Sequence, residues 1–367
     1  MRDRIANAGH RPALNLLNTW SEAMRELSPQ PSDSRWGDLW LTRAKLCFLT
    51  SDYEGATRWA SKSIRAAEEH GWHHILNNAL FQRAQVALRR AELVDAETDL
   101  LRLKHAVSSE TQALMMGKAL FGLAAVARYR QDYDKSFLLY GEACRNFNQV
   151  DNREGAASCW RDMAALELTL SNPKRADILY RRAFAIYQAL GKRHEMANCV
   201  NGIAEVARRW GELDEAKRGY NRALELYESV GGGQVVIPRM NLALICLRQR
   251  DFAQARRTLE NVRLLMAQQG RRHILASAHL GLVACDAGLN SWESFDKNLQ
   301  IAETLRDETG LAEPDCGWMA LLAGDVAMSR GQLERAARVW EFAIHQYEAV
   351  EDQKSVAEVQ QRLDQLD

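Results

Sequence analysis

Small and apolar residues recur along the chain at positions i, i+4 and i+7, the spacing of one face of an α-helix. The whole motif then returns about 40 residues later. Aligned on its first position, the motif is anchored at Ala56, Ala96, Ser136, Ala176, Ala216, Ala255, Phe295 and Ala336, in steps of 40, 40, 40, 40, 39, 40 and 41 residues. Four residues on stand Ala60, Leu100, Tyr140, Tyr180, Tyr220, Leu259, Leu299 and Trp340. Three further on stand Ser63, Leu103, Ala143, Ala183, Ala223, Val262, Ala302 and Ala343. Twelve residues ahead of the anchor runs another small column, Ala44, Ala84, Ala124, Ala164, Ala204, Ala243 and Gly324. It belongs to a preceding helix, where a small side chain lets two helix axes approach closely. Each unit therefore reads as helix A, a short turn and helix B. Phe295 breaks the small column and brings Trp292 with it, so irregular packing is expected in that repeat.

The punctuation follows the same period. Gly211, Gly288 and Gly331 fall in the expected A–B turns, and Gly71, Gly191, Gly231, Gly270 and Gly310 fall at the ends of helix B, where a positive φ is often needed. Pro173 stands at a helix B start, where its missing N–H costs little. The spacing predicts an all-α solenoid of about eight helix pairs, at roughly 37–72, 73–112, 113–153, 154–194, 195–234, 235–273, 274–314 and 315–355. Residues 1–36 supply an N-terminal helix (13–24) and a loop (28–34) that pack on the first repeat. Residues 356–367 supply a capping helix, which covers the stacking face that a last repeat would otherwise expose.

These columns are similar to the small–aromatic–small signature of the tetratricopeptide repeat family. The fifth repeat carries it as Val200, Ile203-Ala204, Ala207, Gly211, Leu213, Ala216, Tyr220 and Ala223, and the match runs over residues 37–356. The period exceeds the family's 34 residues. Longer helices account for the difference, and the chain thus resembles the long-repeat branch of kinesin light chains and many bacterial regulators. The resemblance implies a right-handed superhelix whose A helices line a concave wall that holds a peptide or a partner's helix. Projected onto this sequence, the inward positions are Phe81, Gln82, Gln85 and Arg89, then Phe121, Arg128 and Tyr129, then Arg161 and Asp162. They continue as Asn198, Asn201, Glu205, Arg208 and Arg209, then Met240, Asn241 and Arg248. Amides pair with an extended backbone, arginines clamp carboxylates and aromatics supply pockets. Asn201 and Asn241 lie just ahead of Ile203-Ala204 and Leu242-Ala243, where long-repeat relatives carry peptide-holding asparagines.

Composition narrows the function classes. Lys plus Arg equals Asp plus Glu at 48 each, which argues against a generally basic nucleic-acid binder. There is no apolar run of about 18 residues to span a membrane, and residues 1–20 make a poor signal peptide. Seven cysteines (47, 144, 159, 199, 246, 285 and 316) are scattered singly, as expected of buried thiols in a reducing, cytoplasmic setting. No GxxxxGK[ST], GxSxG, HExxH or EF-hand loop occurs, so neither catalysis nor a cofactor is expected. His70, His73 and His74 lie close together but lack an acid or thiol at ligand spacing, so no metal is expected there. Trp36, Trp72, Trp210 and Trp318 stand off the packing columns and mark a candidate interface. The expected function is a non-catalytic adaptor whose partner is another protein, self-association being left open. The alternative is a sensing module that controls a separately encoded kinase, protease or transcription factor.

Overall fold

The computed structural model describes residues 10–27, 32–107, 112–231 and 235–366, with side chains from residue 15 onward. Of the loop expected over 28–34, residues 28–31 lie outside the described residues. Eighteen α-helices and no strand occur among the described residues, grouped in two compact units, Met1–Lys192 and Arg193–Asp367. The first unit opens with α1 (His10–Leu27). Four pairs follow: α2 (Arg35–Leu49) with α3 (Tyr53–His70), α4 (His73–Arg89) with α5 (Leu93–Ala106), α6 (Ala113–Tyr129) with α7 (Tyr133–Gln149), and α8 (Arg153–Thr169) with α9 (Pro173–Ala189). The second unit pairs α10 (Arg193–Arg209) with α11 (Leu213–Glu228), α12 (Val236–Arg248) with α13 (Phe252–Gln269), α14 (Arg272–Gly288) with α15 (Trp292–Thr309), and α16 (Pro314–Ser329) with α17 (Leu333–Ala349). It ends on α18 (Gln353–Leu363). Each unit is an all-α helical-repeat solenoid.

The anchor column is where the two helices of a pair meet. All eight anchors are 0% exposed, Phe295 included, so the large residue keeps the register of the small ones. In the third pair the Ser136 hydroxyl donates to the Ala124 carbonyl at 2.8 Å, which places the anchor directly on the small column twelve residues earlier. In the fifth, a Cβ added to Gly219 would lie 2.7 Å from the Ala204 Cβ. Gly324 replaces alanine in that column because its partner is Trp340, whose ring would meet an added Cβ at 2.3 Å. The column thus trades volume against the helix B residue opposite it, as close packing requires.

Each A–B turn carries one left-handed residue in the same register: Ser51, Ala91, Gln131, Ser171, Gly211, Arg250, Asn290 and Gly331, with φ between 56° and 80°. The next residue's N–H reaches back to helix A, as in Asn172 N to the Glu167 carbonyl at 2.7 Å, closing a Schellman turn. In the first, third and sixth pairs that same residue also caps helix B with its side chain. The Asp52, Asp132 and Asp251 carboxylates accept the N–H groups of Gly55, Lys135 and Gln254. Gly288 does not serve the expected turn role: it ends α14, and Asn290 takes the positive φ. Gly288 is small for another reason, since an added Cβ would lie 2.2 Å from the Phe252 ring. The five glycines expected at helix B ends all have φ between 64° and 98°.

Departures from the period also have local causes. The 39-residue step crosses α12, which has 13 residues where α10 and α14 have 17. At the end of the second unit, α18 begins at Gln353, three residues ahead of the expected start. It buries Val359 completely in the cluster that holds Val326 and Trp340. All seven cysteines are free and all but Cys47 are buried. Burial pushes the Cys47 thiol up to about 11 and the Cys316 thiol up to about 12, so neither is a thiolate at neutral pH.

Candidate functional site

The residues expected to form a binding wall fall in both units. In the first, Phe81 is half-buried against two apolar clusters, with the Lys118 ammonium 5.5 Å from its ring centre. Phe121 is half-buried edge-on to Tyr140 at 5.2 Å. Both do packing work. Gln85 is half-buried and Arg89 is exposed at the helix end. Gln82 is corrected outright: it is 4% exposed and lies inside the stack, in the column that Gly122 and Gly202 occupy in later pairs. Arg128 lies over Tyr129 at 5.2 Å, and Arg161 is bonded to its neighbour Asp162 at 2.9 Å. The Tyr140 hydroxyl donates to that same Asp162 at 3.3 Å.

In the second unit the residues expected to form the wall lie closer together. Asn198, Asn201, Glu205 and Arg208 succeed one another at three- and four-residue spacing along α10, which places them on one helix face. Asn198 accepts from the Tyr227 hydroxyl at 2.5 Å and donates to Glu195 at 3.0 Å, so its orientation is fixed. Asn201 carries a buried Oδ1 with no hydrogen-bond partner. Below it, Glu205 accepts from Arg208 at 2.7 and 2.8 Å, from Arg209 at 3.2 Å and from the Tyr220 hydroxyl at 2.8 Å. Met240 is half-buried against the apolar core and Asn241 is half-buried.

Arg208 has a second partner that no sequence spacing announces. Its two terminal nitrogens each donate at 3.0 Å to Asp315, 107 residues away in the first turn of α16. The guanidinium is thus held between two carboxylates, with its side chain only 9% exposed. Burial opposes charge on both Glu205 and Arg208. The hydrogen bonds and attraction between them outweigh it, holding Glu205 below the usual carboxylate range and Arg208 above the usual arginine value. Close by, Arg248 lies over Trp318 at 4.3 Å. Burial first, and then the charge of Arg208, pull Arg248 below the usual arginine value. Arg208, Arg248 and Trp318 border a cavity of about 420 Å³ floored by Leu213, Leu247, Leu321 and Leu322. Asp315 and Trp318 are the residues sequence reasoning missed. Trp318 had been marked only as a tryptophan off the packing columns.

A separate polar cluster lies inside the second unit. Asn298 donates to Asp286 at 2.7 Å and pairs with His279 at 2.8 Å, while Arg256 stands 3.4 Å from Asp286, which is 0% exposed. Burial pushes Asp286 up to about 6, against the opposing effects of Asn298 and Arg256. The folded protein therefore keeps a proton that the unfolded chain has already lost. This contribution to stability is full below about pH 4 and is lost as the pH rises through about 6. Urea unfolding between pH 4 and 7 is expected to show that decline, and Asp286→Asn to flatten it. An unchanged slope in the variant would assign the pH dependence to other groups.

The expected histidine cluster is dispersed into local contacts. His70 meets Trp72 with the rings tilted and their centres 5.0 Å apart, and His74 meets Asn78. Among the described residues no helix is long and apolar enough to cross a membrane.

With the geometry in place, comparison with known proteins supplies context. Residues 193–263, which include α10, α11 and α12, match the family model described as tetratricopeptide repeat. No curated protein matches the chain. Among solved structures, a Rap protein complexed with competence and sporulation factor is similar (TM-score 0.61, 11% identity, 91% of this chain and 98% of that one). So is a signal-transduction ATPase of the STAND type with a tetratricopeptide repeat sensor from Pyrococcus horikoshii (0.62, 14%, 94% of this chain and 53% of that one). A third is aspartyl phosphate phosphatase F from Bacillus subtilis (0.55, 12%, 93% and 90%). At such identities the likeness establishes the fold alone.

Proposed function

We propose that this chain, whose residues 193–263 match the tetratricopeptide repeat family model, works as a non-catalytic scaffold holding an extended segment of a partner protein on the wall formed by α10 and α12. The observation that carries this is Asn201. A buried carbonyl oxygen without a partner costs about 1–3 kcal/mol, and a backbone N–H of an extended segment would satisfy it. Asn198, fixed by Tyr227, stands one turn away on the same face. Arg248 and Trp318 beside the cavity suit an acidic or aromatic side chain of that segment.

A second reading, control of a separately encoded effector, is favoured by one observation, the pairing of Arg208 with Asp315. An acidic group that reaches Arg208 competes with Asp315, so binding changes what ties α10 to α16. The STAND neighbour is described as carrying a tetratricopeptide repeat sensor, which supports this reading.

The test is selection of binding peptides from a random display library against the full chain, followed by calorimetry on variants. Asn201→Ala is expected to weaken the selected peptides by about tenfold, or roughly 1.4 kcal/mol. Asp315→Asn is expected to strengthen those with acidic side chains. Peptides indifferent to Asn201→Ala would remove the wall from consideration, and those indifferent to Asp315→Asn would remove the competition.

A further inference from the structure

The first unit contains a pocket of about 300 Å³ whose walls combine three tryptophans, Trp36, Trp40 and Trp59, with three cations, Arg25, Arg43 and Lys62. No acidic residue lines it. Trp36 and Trp40 stack with ring centres 6.0 Å apart. The Lys62 ammonium lies 4.5 Å from the centre of Trp40 and 5.6 Å from that of Trp59, and the Arg43 guanidinium lies 4.9 Å from Trp59. One terminal nitrogen of Arg43 donates to Asn18 at 2.8 Å, while its Nε is buried with no partner. Burial, and then the charge of Arg25, lower the Arg43 pKa, as expected of a cation crowded by another without a counter-ion.

The repeat supplies its own control. Forty residues on, Arg83 occupies the position of Arg43, and there the guanidinium is bonded at both ends to Asp99 at 2.7 Å. The position of Asp99 is filled by Trp59 in the first pair. The carboxylate that neutralises this arginine in one pair is thus replaced by an aromatic face in the other. The exchange leaves the Arg43 charge in a helix interface with no carboxylate to answer it and one N–H unpaired.

We propose that this pocket binds a small organic anion with a flat apolar body, a carboxylate or phosphate carried on an aromatic ring system. The anionic group sits among Arg25, Arg43 and Lys62, where it satisfies the Arg43 Nε and relieves the repulsion between the cations. The ring system lies against the indoles. The volume suits a group of one or two fused rings plus its anion, at the small end of ligand pockets. The site lies in the first unit and does not depend on the peptide wall of the second.

Titration of the full chain with 2-naphthoate and with AMP, followed by calorimetry and tryptophan fluorescence, tests it. The uncharged 2-naphthamide and adenosine, and inorganic phosphate alone, serve as the matching controls. At least one aromatic anion is expected to bind at least tenfold tighter than its neutral counterpart and than phosphate. Which of the two binds separates a carboxylate from a phosphate ligand. Lys62→Gln and Arg25→Gln are each expected to weaken that binding severalfold, and Arg43→Gln by about tenfold. Arg218→Gln, an exposed charge in the other unit, is expected to change nothing. Circular dichroism melts confirm that each variant is folded, and the Lys62 and Arg25 variants decide the matter should Arg43→Gln not fold. No binding of either anion, equal binding of the neutral analogues, or binding that survives loss of Lys62 and Arg25 would overturn the proposal.

Discussion

Ala204→Arg is expected to unfold most of the second unit, with a loss of at least about 3 kcal/mol in denaturant melts and a matching fall in helicity. The physical reason is the closeness of α10 and α11. Ala204 is 2% exposed, and an atom added to Gly219 would already lie within 2.7 Å of its Cβ. A long side chain there must push the helices apart or bury a charge without a partner, and both are costly. Because each pair packs chiefly on its neighbours, the damage should spread along the unit instead of remaining local. A variant with unchanged melting would show that Ala204 does not lie in the interface, and with it the register of the small column would fall.

Arg208→Gln is expected to be the most damaging change among the expected wall residues, at about 3 kcal/mol. Glu205 and Arg208 have side chains 16% and 9% exposed, so removing the cation leaves a largely buried carboxylate whose strongest partner is gone. The Glu205→Gln, Arg208→Gln double variant is expected to recover most of that loss, since the cost lies in the orphaned charge more than in the missing attraction. Tyr220 keeps an oxygen acceptor in the double variant. Urea unfolding of the three proteins makes the comparison. Equal losses in the single and double variants would show that the pair is not coupled as its geometry indicates.

The small column was legible because its cause is local and periodic. Any residue large enough to separate the axes at Ala204 or Ala164 disrupts the pair, so the pattern repeats in sequence as it does in space. Phe295 could be placed by register alone, although its tight burial beside Trp292 was expected to be irregular. The turns were read less well. Glycine marks a left-handed residue only where it is used, and Ser51, Ala91 and Arg250 adopt the same φ without it. The hydrogen bonds of the Schellman turn hold them there, and these depend on backbone geometry with no residue signature.

For the wall, helical spacing sufficed to put Asn198, Asn201, Glu205 and Arg208 on one face. It said nothing of Asp315, because a contact across 107 residues depends on how successive pairs rotate. The same limit hid the tryptophan pocket. Its key substitution, Trp59 where the next repeat has Asp99, lies in a column that carries no packing signature. Gln82 was misplaced for a related reason: the buried column it shares is marked by glycine in a later repeat, where Gly122 meets Leu100, and a long polar residue does not announce the same position.

The central claim, that the α10 and α12 face of the second unit holds an extended partner segment, is tested most directly by hydrogen exchange of the full chain with and without a display-selected peptide. The account predicts added protection concentrated in residues 193–209 and 236–248, lost in Asn201→Ala. Protection confined to the B helices α11 and α13, or to the first unit, would contradict it.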